Sequence, residues 1–211
     1  MERKGSLPWL GAVSPLAGRG AKVARRRVAR TFSVMATEAP RRIARLRRNY
    51  CPRDVRILFV GESPPAGGTF FYAANSNLFV HTQAAFVRAL GRGVGDGETF
   101  LQYFKGLGCY LEDLCCQPVN RLAGTTRQRA HRNAMGDFVR RVRRHSPDAI
   151  VVVSRAIREP VAGALDQAGL GHVPRYELPF PAFGHHTEYI RGLSELLVKW
   201  LRRVDHPAVG H

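Results

Sequence analysis

The sequence lacks several signals that would assign it to a common class. Its four cysteines, Cys51, Cys109, Cys115 and Cys116, form no C-x-x-C pair and no Cys/His spacing typical of a zinc site. No run of about 18 apolar residues is present, so we expect no membrane span. A P-loop is excluded, and the glycine-rich segment 91–95 follows a predicted helix, which does not support a dinucleotide fingerprint. These absences favour a reduced, cytoplasmic protein that needs no metal or other cofactor.

Acidic residues are also scarce, and the scarcity is uneven. The 211-residue chain carries a formal net charge of +17. Residues 1–50 contain 13 lysines and arginines against two acids, whereas residues 51–211 contain 20 against 14. A basic surface favours nucleic acids through counterion release. An arginine-rich composition gives the same charge without any such partner, so charge alone leaves both interpretations open.

The first 50 residues are predicted to be a basic, disordered extension. No acid occurs between Glu2 and Glu38. This composition fits an organellar transit peptide, a nucleic-acid-binding arm, or a misassigned start codon with Met35 as the true first residue. We slightly favour the misassigned start over import into an organelle. Within the extension, residues 40–48 predict a short helix with a proline in its first turn.

The remaining chain alternates between predicted strands and helices. This pattern predicts an α/β domain over residues 51–205, followed by a frayed tail at 206–211. Alternation of this kind is typical of three layers, α/β/α, around a mainly parallel four-stranded sheet. The predicted strands cover residues 55–60, 109–114, 149–153 and 172–178, and the predicted helices cover residues 81–90, 98–104, 126–145, 155–168 and 187–203.

Three predicted loops leave the carboxyl ends of strands, where ligands bind in parallel sheets. The first loop, residues 61–80, begins with Gly61-Glu62-Ser63-Pro64 and continues to Phe70 and Phe71. A carboxylate at this position can orient a water, and an aromatic ring can stack on a flat ligand. Pro64 and the glycines can equally shape a turn, and Phe71 is more readily explained as core. Glu62, directly after an apolar strand, is more readily explained by function.

The second and third loops also carry polar residues that chemistry can use. Glu112 and Asp113 end the second strand and precede Asn120; they can read a ligand edge, cap a helix or pair with an arginine, and these alternatives are evenly balanced. In the third loop, His185 and His186 precede the terminal helix. They can contact a phosphate or a developing oxyanion, or they can be surface residues without a role. Their position beside the other loops favours function.

Taken together, these loops resemble the motifs of the uracil-DNA glycosylase-like superfamily. Residues 58–64, Leu-Phe-Val-Gly-Glu-Ser-Pro, are similar to the form Gly-Glu-Ala-Pro-Gly of its thermostable branch. Residues 116–121, Cys-Gln-Pro-Val-Asn-Arg, resemble the run that follows the second strand in that branch. The resemblance covers residue 55 to about residue 200 and depends on the order of the motifs.

Two departures from the family pattern concern metal binding and the last motif. The thermostable branch ligates an iron–sulfur cluster through four cysteines that include an N-terminal pair, and this pair is missing here, so we expect no cluster. The last family motif is His-Pro-Ser/Ala, whereas this chain has Phe180-Pro181-Ala182. His185 or His186 can take the place of that histidine, or its oxyanion-stabilising role is absent.

The resemblance implies hydrolysis of the N-glycosidic bond of a damaged or deaminated base in DNA, as in base excision repair. Glu62 would position water, Phe70 or Phe71 would stack on the base, Asp113 or Glu112 would read its edge, and His185 would stabilise the leaving group. An acid in place of the family's base-reading asparagine puts uracil in doubt as the preferred base. The substrate-binding set implied in this way is Gly61, Ser63, Pro64, Phe70, Phe71, Asp113, Asn120 and His186.

The sequence also leads to expectations about binding partners. DNA is the expected partner, no membrane partner is expected, and the protein is expected to be a monomer. One alternative is a nucleic-acid-binding or protein-binding module that keeps the fold without catalysis. Another is a hydrolase acting on a small nucleoside.

Overall fold

A computed structural model of the chain describes residues 40–205, and their centre is a four-stranded sheet. Its strands are β1 (Ile57–Gly61), β2 (Cys109–Asp113), β3 (Ala149–Val153) and β4 (Arg175–Leu178), in the order β2-β1-β3-β4. All three strand pairs are parallel. This confirms the predicted α/β class, since the helices form a layer on each side of the sheet.

The register of the sheet decides where the polar residues meet. Gly61 at the end of β1 lies opposite Asp113 at the end of β2, and Val60 lies opposite Val152 of β3. The carboxyl ends of three strands therefore lie at one edge of the sheet. Every residue of β1, β2 and β3 is buried. Burial on both faces explains why β1 and β3 read as continuous apolar runs rather than alternating ones.

Within residues 40–205, six α-helices connect and cover the strands. The first, α1, spans residues 40–50. The others are α2 (Asn77–Leu90), α3 (Gly97–Gly106), α4 (Gly124–Val142), α5 (Arg158–Gln167) and α6 (His186–Asp205). Helices α2 and α6 pack against each other, as do α4 and α5. No helix in the described part of the chain is both long and apolar enough to cross a membrane.

A side-chain cap explains the start of helix α2. Helix α2 starts at Asn77, inside the predicted 61–80 loop, because the Ser76 hydroxyl accepts a hydrogen bond from the Phe79 amide at 3.2 Å. The Ser154 hydroxyl caps the short turn that follows β3, accepting a hydrogen bond from Ala156 N at 3.3 Å. Helix α4 begins at Gly124, two residues before its predicted start at residue 126.

Helix α1 belongs to the folded domain rather than to the extension that precedes it. Its Tyr50 is 8% exposed and stacks on Tyr72 with ring centroids 5.4 Å apart. Arg47 is equally buried. The compact unit therefore begins at residue 39, earlier than the predicted boundary at 51. The predictions for Met35, for the rest of the extension and for the tail at 206–211 lie outside the described residues.

An aromatic cluster fills the space between the sheet and helices α2 and α3. Phe59 of β1 packs on Phe104 at 5.2 Å, and Phe100 packs on Phe86 at 5.3 Å. Aromatic pairs of this kind contribute more than their buried area alone. The four cysteines are free thiols, so packing rather than cross-linking stabilises the domain.

Tyr72 supports the outer edge of β2, which is an edge strand. Its hydroxyl accepts a hydrogen bond from Leu111 N at 2.6 Å and donates one to Leu111 O at 3.2 Å. The ring is only 1% exposed, so removing the hydroxyl leaves two buried backbone groups unpaired.

We expect Tyr72→Phe to lower the free energy of unfolding by about 1–3 kcal/mol. Tyr110→Phe is the matched control, because Tyr110 is also buried and its hydroxyl makes no hydrogen bond to the described residues. Urea denaturation of both variants measures the difference. Equal destabilisation by the two substitutions would contradict the assignment of Tyr72 to the strand edge.

Candidate functional site

The three predicted loops converge on one open cleft at the carboxyl edge of the sheet. Its volume is about 780 Å³. Of the ten residues that the sequence predicts for the site, nine line it: Gly61, Glu62, Ser63, Pro64, Phe70, Phe71, Asp113, Asn120 and His185. His186 is not among the lining residues and instead stacks on His81 of α2, with ring centroids 5.5 Å apart. The two adjacent histidines therefore have different surroundings.

Glu62, the first residue after β1, is held by two side chains of helix α4. Arg127 grips both carboxylate oxygens, with its Nε donating to Oε1 at 2.7 Å and its Nη2 donating to Oε2. His131 Nε2 lies 2.7 Å from the same Oε1. An ionised carboxylate only accepts, so this nitrogen carries the proton. Oε1 thus has two donors and Oε2 has one, which leaves acceptor capacity on Oε2.

These partners determine the ionisation of Glu62. Burial raises its pKa, but the hydrogen bonds and charge of Arg127, together with His131, outweigh burial and hold the pKa below its usual range. Glu62 is therefore an anion at neutral pH. A carboxylate of lowered pKa is a weak proton acceptor, but it stabilises a nearby positive charge and orients a water by hydrogen bonding.

Asp113 lies one strand away and has a different environment. It is 5% exposed, and Arg47 of α1 donates to its Oδ2. Burial raises the pKa of Asp113 to about 6, with Glu112 acting in the same direction and Arg47 opposing it. Oδ1 accepts no hydrogen bond from the described residues. Because Asp113 lines the cleft, this oxygen is the one left for a ligand.

Gly61 makes room for the Asp113 carboxylate. A Cβ at Gly61 would lie 2.3 Å from Asp113 Oδ1, a distance that carbon and oxygen do not tolerate. The glycine of the first motif is therefore required by the acid that ends the neighbouring strand. This close approach explains a motif residue that sequence alone assigns only to a turn.

Behind the cleft, two acids and two arginines form a buried charge cluster. Glu112 is 2% exposed; Arg47 Nε lies 3.4 Å and Arg141 Nε lies 3.5 Å from its Oε1. Arg141 also donates to the Asp113 carbonyl at 2.5 Å. The two buried Nε groups have charge partners but no hydrogen-bond acceptor among the described residues. Glu112, the alternative base-reading acid, pairs with the two arginines of this cluster and does not line the cleft. Asp113 is therefore the acid that reaches the cleft.

The aromatic wall consists of Phe70 and Phe71, which are 4% and 3% exposed. The Phe71 ring packs on Tyr72, Phe79 and Phe104 at centroid distances of 5.1–5.9 Å, as expected for a core residue. Phe70 instead lies beneath the Arg47 guanidinium, whose Cζ is 5.5 Å from the ring centroid. Phe70 is therefore the better candidate for stacking.

Ser63 and Asn120 join the first two loops to each other. The Ser63 hydroxyl accepts from Val119 N at 3.2 Å, and Asn120 Oδ1 accepts from Ala66 N at 3.1 Å. Pro64 is buried in the turn between them. These contacts set the shape of the cleft wall. All three residues therefore line the site, and their observed role is to hold the loops in place.

The third loop, residues 179–185 between β4 and α6, forms the rim of the cleft and has an apolar surface. Phe180 is 42% exposed and Phe183 is 100% exposed. Phe183 has a positive φ of 52°, and Ser154, which also lines the cleft, has a φ of 152°. Non-glycine residues avoid such angles because of steric cost, and such strain concentrates at functional sites. His185 is half-exposed and lies 3.5 Å from Glu188 through its Nδ1.

Sequence reasoning missed the residues that partner the two acids. Arg127 and His131 are four residues apart, so they share a face of α4, and this spacing after the second loop is a signal that could have identified them. Arg47 gives no such signal, since it lies 66 positions from Asp113. Phe183 directly follows the Phe-Pro-Ala motif, but what sets it apart is its full exposure, and exposure can be read only from a structure.

Across residues 40–205, no three His, Cys, Asp or Glu side chains are grouped closely enough to hold a metal ion. Comparison with known proteins finds no matching family model and no curated protein with significant similarity. The chemistry of the cleft is therefore argued from its own residues.

The raised pKa of Asp113 predicts a specific effect of pH on stability. Between pH 8 and pH 5 the folded state takes up a proton at Asp113, whose pKa is about 6, before the unfolded state does. Lowering the pH should therefore stabilise the wild type relative to Asp113→Asn, by about 1 kcal/mol. Glu62, with its lowered pKa, titrates below this window.

Urea midpoints of wild type and Asp113→Asn at pH 8 and pH 5 measure this difference. Asp148→Asn is the control, because Asp148 is an exposed acid paired with Arg56. An identical pH response in wild type and Asp113→Asn would show that Asp113 does not titrate in this range.

Proposed function

We propose that this protein is a DNA glycosylase-like hydrolase that cleaves the N-glycosidic bond of a damaged base. The observation that carries the proposal is the ionised Glu62, held at the wall of an open cleft by Arg127 and His131. The likeness of the loop motifs to the uracil-DNA glycosylase-like superfamily supports the same reaction.

In the proposed mechanism, the bond from the sugar C1′ to the base nitrogen breaks and its electrons leave with the base. Positive charge then develops on the sugar. The Glu62 anion stabilises this charge, and its remaining acceptor site on Oε2 orients a water towards C1′. The water adds to C1′ and releases a proton to solvent. Arg127 and His131 keep Glu62 ionised and fixed throughout.

The other cleft residues hold and release the base. Phe70 stacks on the flat ring, and Asp113 accepts hydrogen bonds from its edge. His185, half-exposed at the rim, donates to the departing base and stabilises its negative charge. Phe180 stands where the family has a histidine and has no proton to donate, so this role depends on His185.

DNA is the proposed substrate because the rim of the cleft carries an apolar side chain that can fill the gap left in the base stack when a base is extruded. Phe183 projects fully into solvent at the rim of the cleft. Proteins that kink or open a duplex insert apolar side chains of this kind between base steps. Arg155, which also lines the cleft, is paired with Glu188 at 2.5 Å and has further N–H donors for a phosphate.

A non-catalytic binding module on the same fold is the second candidate. Phe180 favours it, since the rim position that carries a histidine in the family holds a side chain without acid–base chemistry.

A small-nucleoside hydrolase differs from a DNA-binding protein in how its ligand affinity responds to salt. DNA binding weakens steeply as salt rises, whereas binding of an uncharged nucleoside does not.

We expect Glu62→Gln to lower the excision rate by about 10²–10³-fold while leaving DNA affinity nearly unchanged, because the charge at the sugar is lost and the shape is kept. Single- and double-stranded oligonucleotides with one lesion each, assayed for abasic sites, provide the measurement. Asp148→Asn is the control, because it breaks an acid–arginine pair that lies outside the cleft, and it should retain full activity. Equal activity of wild type and Glu62→Gln would remove the mechanism.

We expect Phe183→Ala to reduce excision from duplex DNA by about tenfold and to leave excision from single strands nearly unchanged. The physical reason is that only the duplex must be unstacked, at a cost of a few kcal/mol per step. Val80→Ala is the control, since Val80 is an exposed apolar residue outside the cleft lining. Parallel loss on both substrates would assign Phe183 to general binding instead.

A further inference from the structure

Asp113 presents one carboxylate oxygen to the cleft in a fixed orientation. Oδ2 is bound by Arg47, which is itself 8% exposed and lies over the Phe70 ring. Oδ1 packs against the backbone of Gly61, where even a methyl group would not fit. Asp113 is 5% exposed and is one of the residues that line the cleft, so a ligand in the cleft meets its carboxylate at the oxygen that Arg47 does not bind.

This arrangement prevents Asp113 from behaving like an asparagine. An amide has both a carbonyl that accepts and an NH₂ that donates, whereas an ionised carboxylate only accepts. Reorienting the side chain would not help, because its other oxygen is held by the Arg47 guanidinium. Any ligand group that meets Oδ1 of the ionised carboxylate must therefore be a donor.

Nucleobases differ in what they offer to such an oxygen. The pairing edge of uracil has one N3–H between two carbonyls, so a carboxylate that accepts from N3–H is repelled by a neighbouring oxygen. The corresponding edge of guanine has N1–H beside the exocyclic 2-amino group, two donors side by side. A carboxylate oxygen has two lone pairs and can accept from both.

We propose that the cleft selects a guanine-type base, one whose edge carries N1–H and a 2-amino group, rather than uracil. This inference depends on the proposed function and names its substrate class, which includes oxidised guanines such as 8-oxoguanine. Phe70 stacks on the purine while Asp113 Oδ1 accepts from the two donors. The cleft, at about 780 Å³, has room for a purine. Damaged guanine is distinguished from normal guanine by its lower cost of extrusion.

The test compares wild type and Asp113→Asn on matched oligonucleotides that carry 8-oxoguanine, hypoxanthine or uracil. The pH is 8, about two units above the pKa of Asp113, so that the acid is ionised. We expect wild type to excise 8-oxoguanine about ten- to a hundredfold faster than uracil, and Asp113→Asn to reverse the order. Wild type that prefers uracil, or an unchanged order in the variant, would overturn the specificity and leave the glycosylase assignment intact.

A second measurement separates this inference from the proposed function and does not need the variant to fold. Binding of 9-methylguanine and 1-methyluracil to wild type is followed by NMR chemical-shift changes of the cleft residues. Tighter binding of 9-methylguanine supports the inference even if no lesion is excised, in which case only the catalytic proposal fails. Equal binding, or tighter binding of 1-methyluracil, would overturn it.

Discussion

The structure depends on the neutralisation of acids that parallel pairing forces together. Pairing Gly61 with Asp113 brings the ends of β1 and β2 to one edge. Glu112 and Asp113 are buried there, and the Glu62 side chain, directly after β1, is 14% exposed. Buried carboxylates are costly without partners. Arginines from two helices supply them: Arg47 from α1, and Arg127 and Arg141 from α4. The position of both helices against the sheet is tied to this compensation.

Different partners give the two cleft acids different properties. Glu62 has three donors, and its pKa is lowered, so it is a permanent anion. Asp113 is more deeply buried, and its pKa is raised to about 6. Sites that use two carboxylates commonly separate their roles through such differences in environment. The proposal follows the same logic, since Glu62 faces the charge that develops on the sugar and Asp113 faces the edge of the base.

The sheet and the two acids were predictable from sequence because their signals are local. Continuous apolar runs at Ile57–Gly61 and Ala149–Val153 identify buried parallel strands, and an acid directly after such a strand marks the ligand edge. The partner of Asp113 was not predictable, because Arg47 lies 66 positions away from it and the chain is rich in arginine. Arg127 lies 65 positions from Glu62, and only its four-residue spacing to His131 marks it in the sequence. Burial decides which arginines pair, and burial depends on the assembled fold. The same reason explains His186, whose stacking on His81 depends on how α6 packs against α2.

The central claim is that the cleft at the carboxyl edge of the sheet receives an extruded base. A crystal structure with a duplex that carries a non-hydrolysable 2′-fluoro nucleoside of 8-oxoguanine tests it most directly. We expect the base to lie on Phe70 with its edge at Asp113, and the sugar C1′ to face Glu62. A duplex bound elsewhere on the protein, or bound at the cleft with every base still stacked, would contradict it.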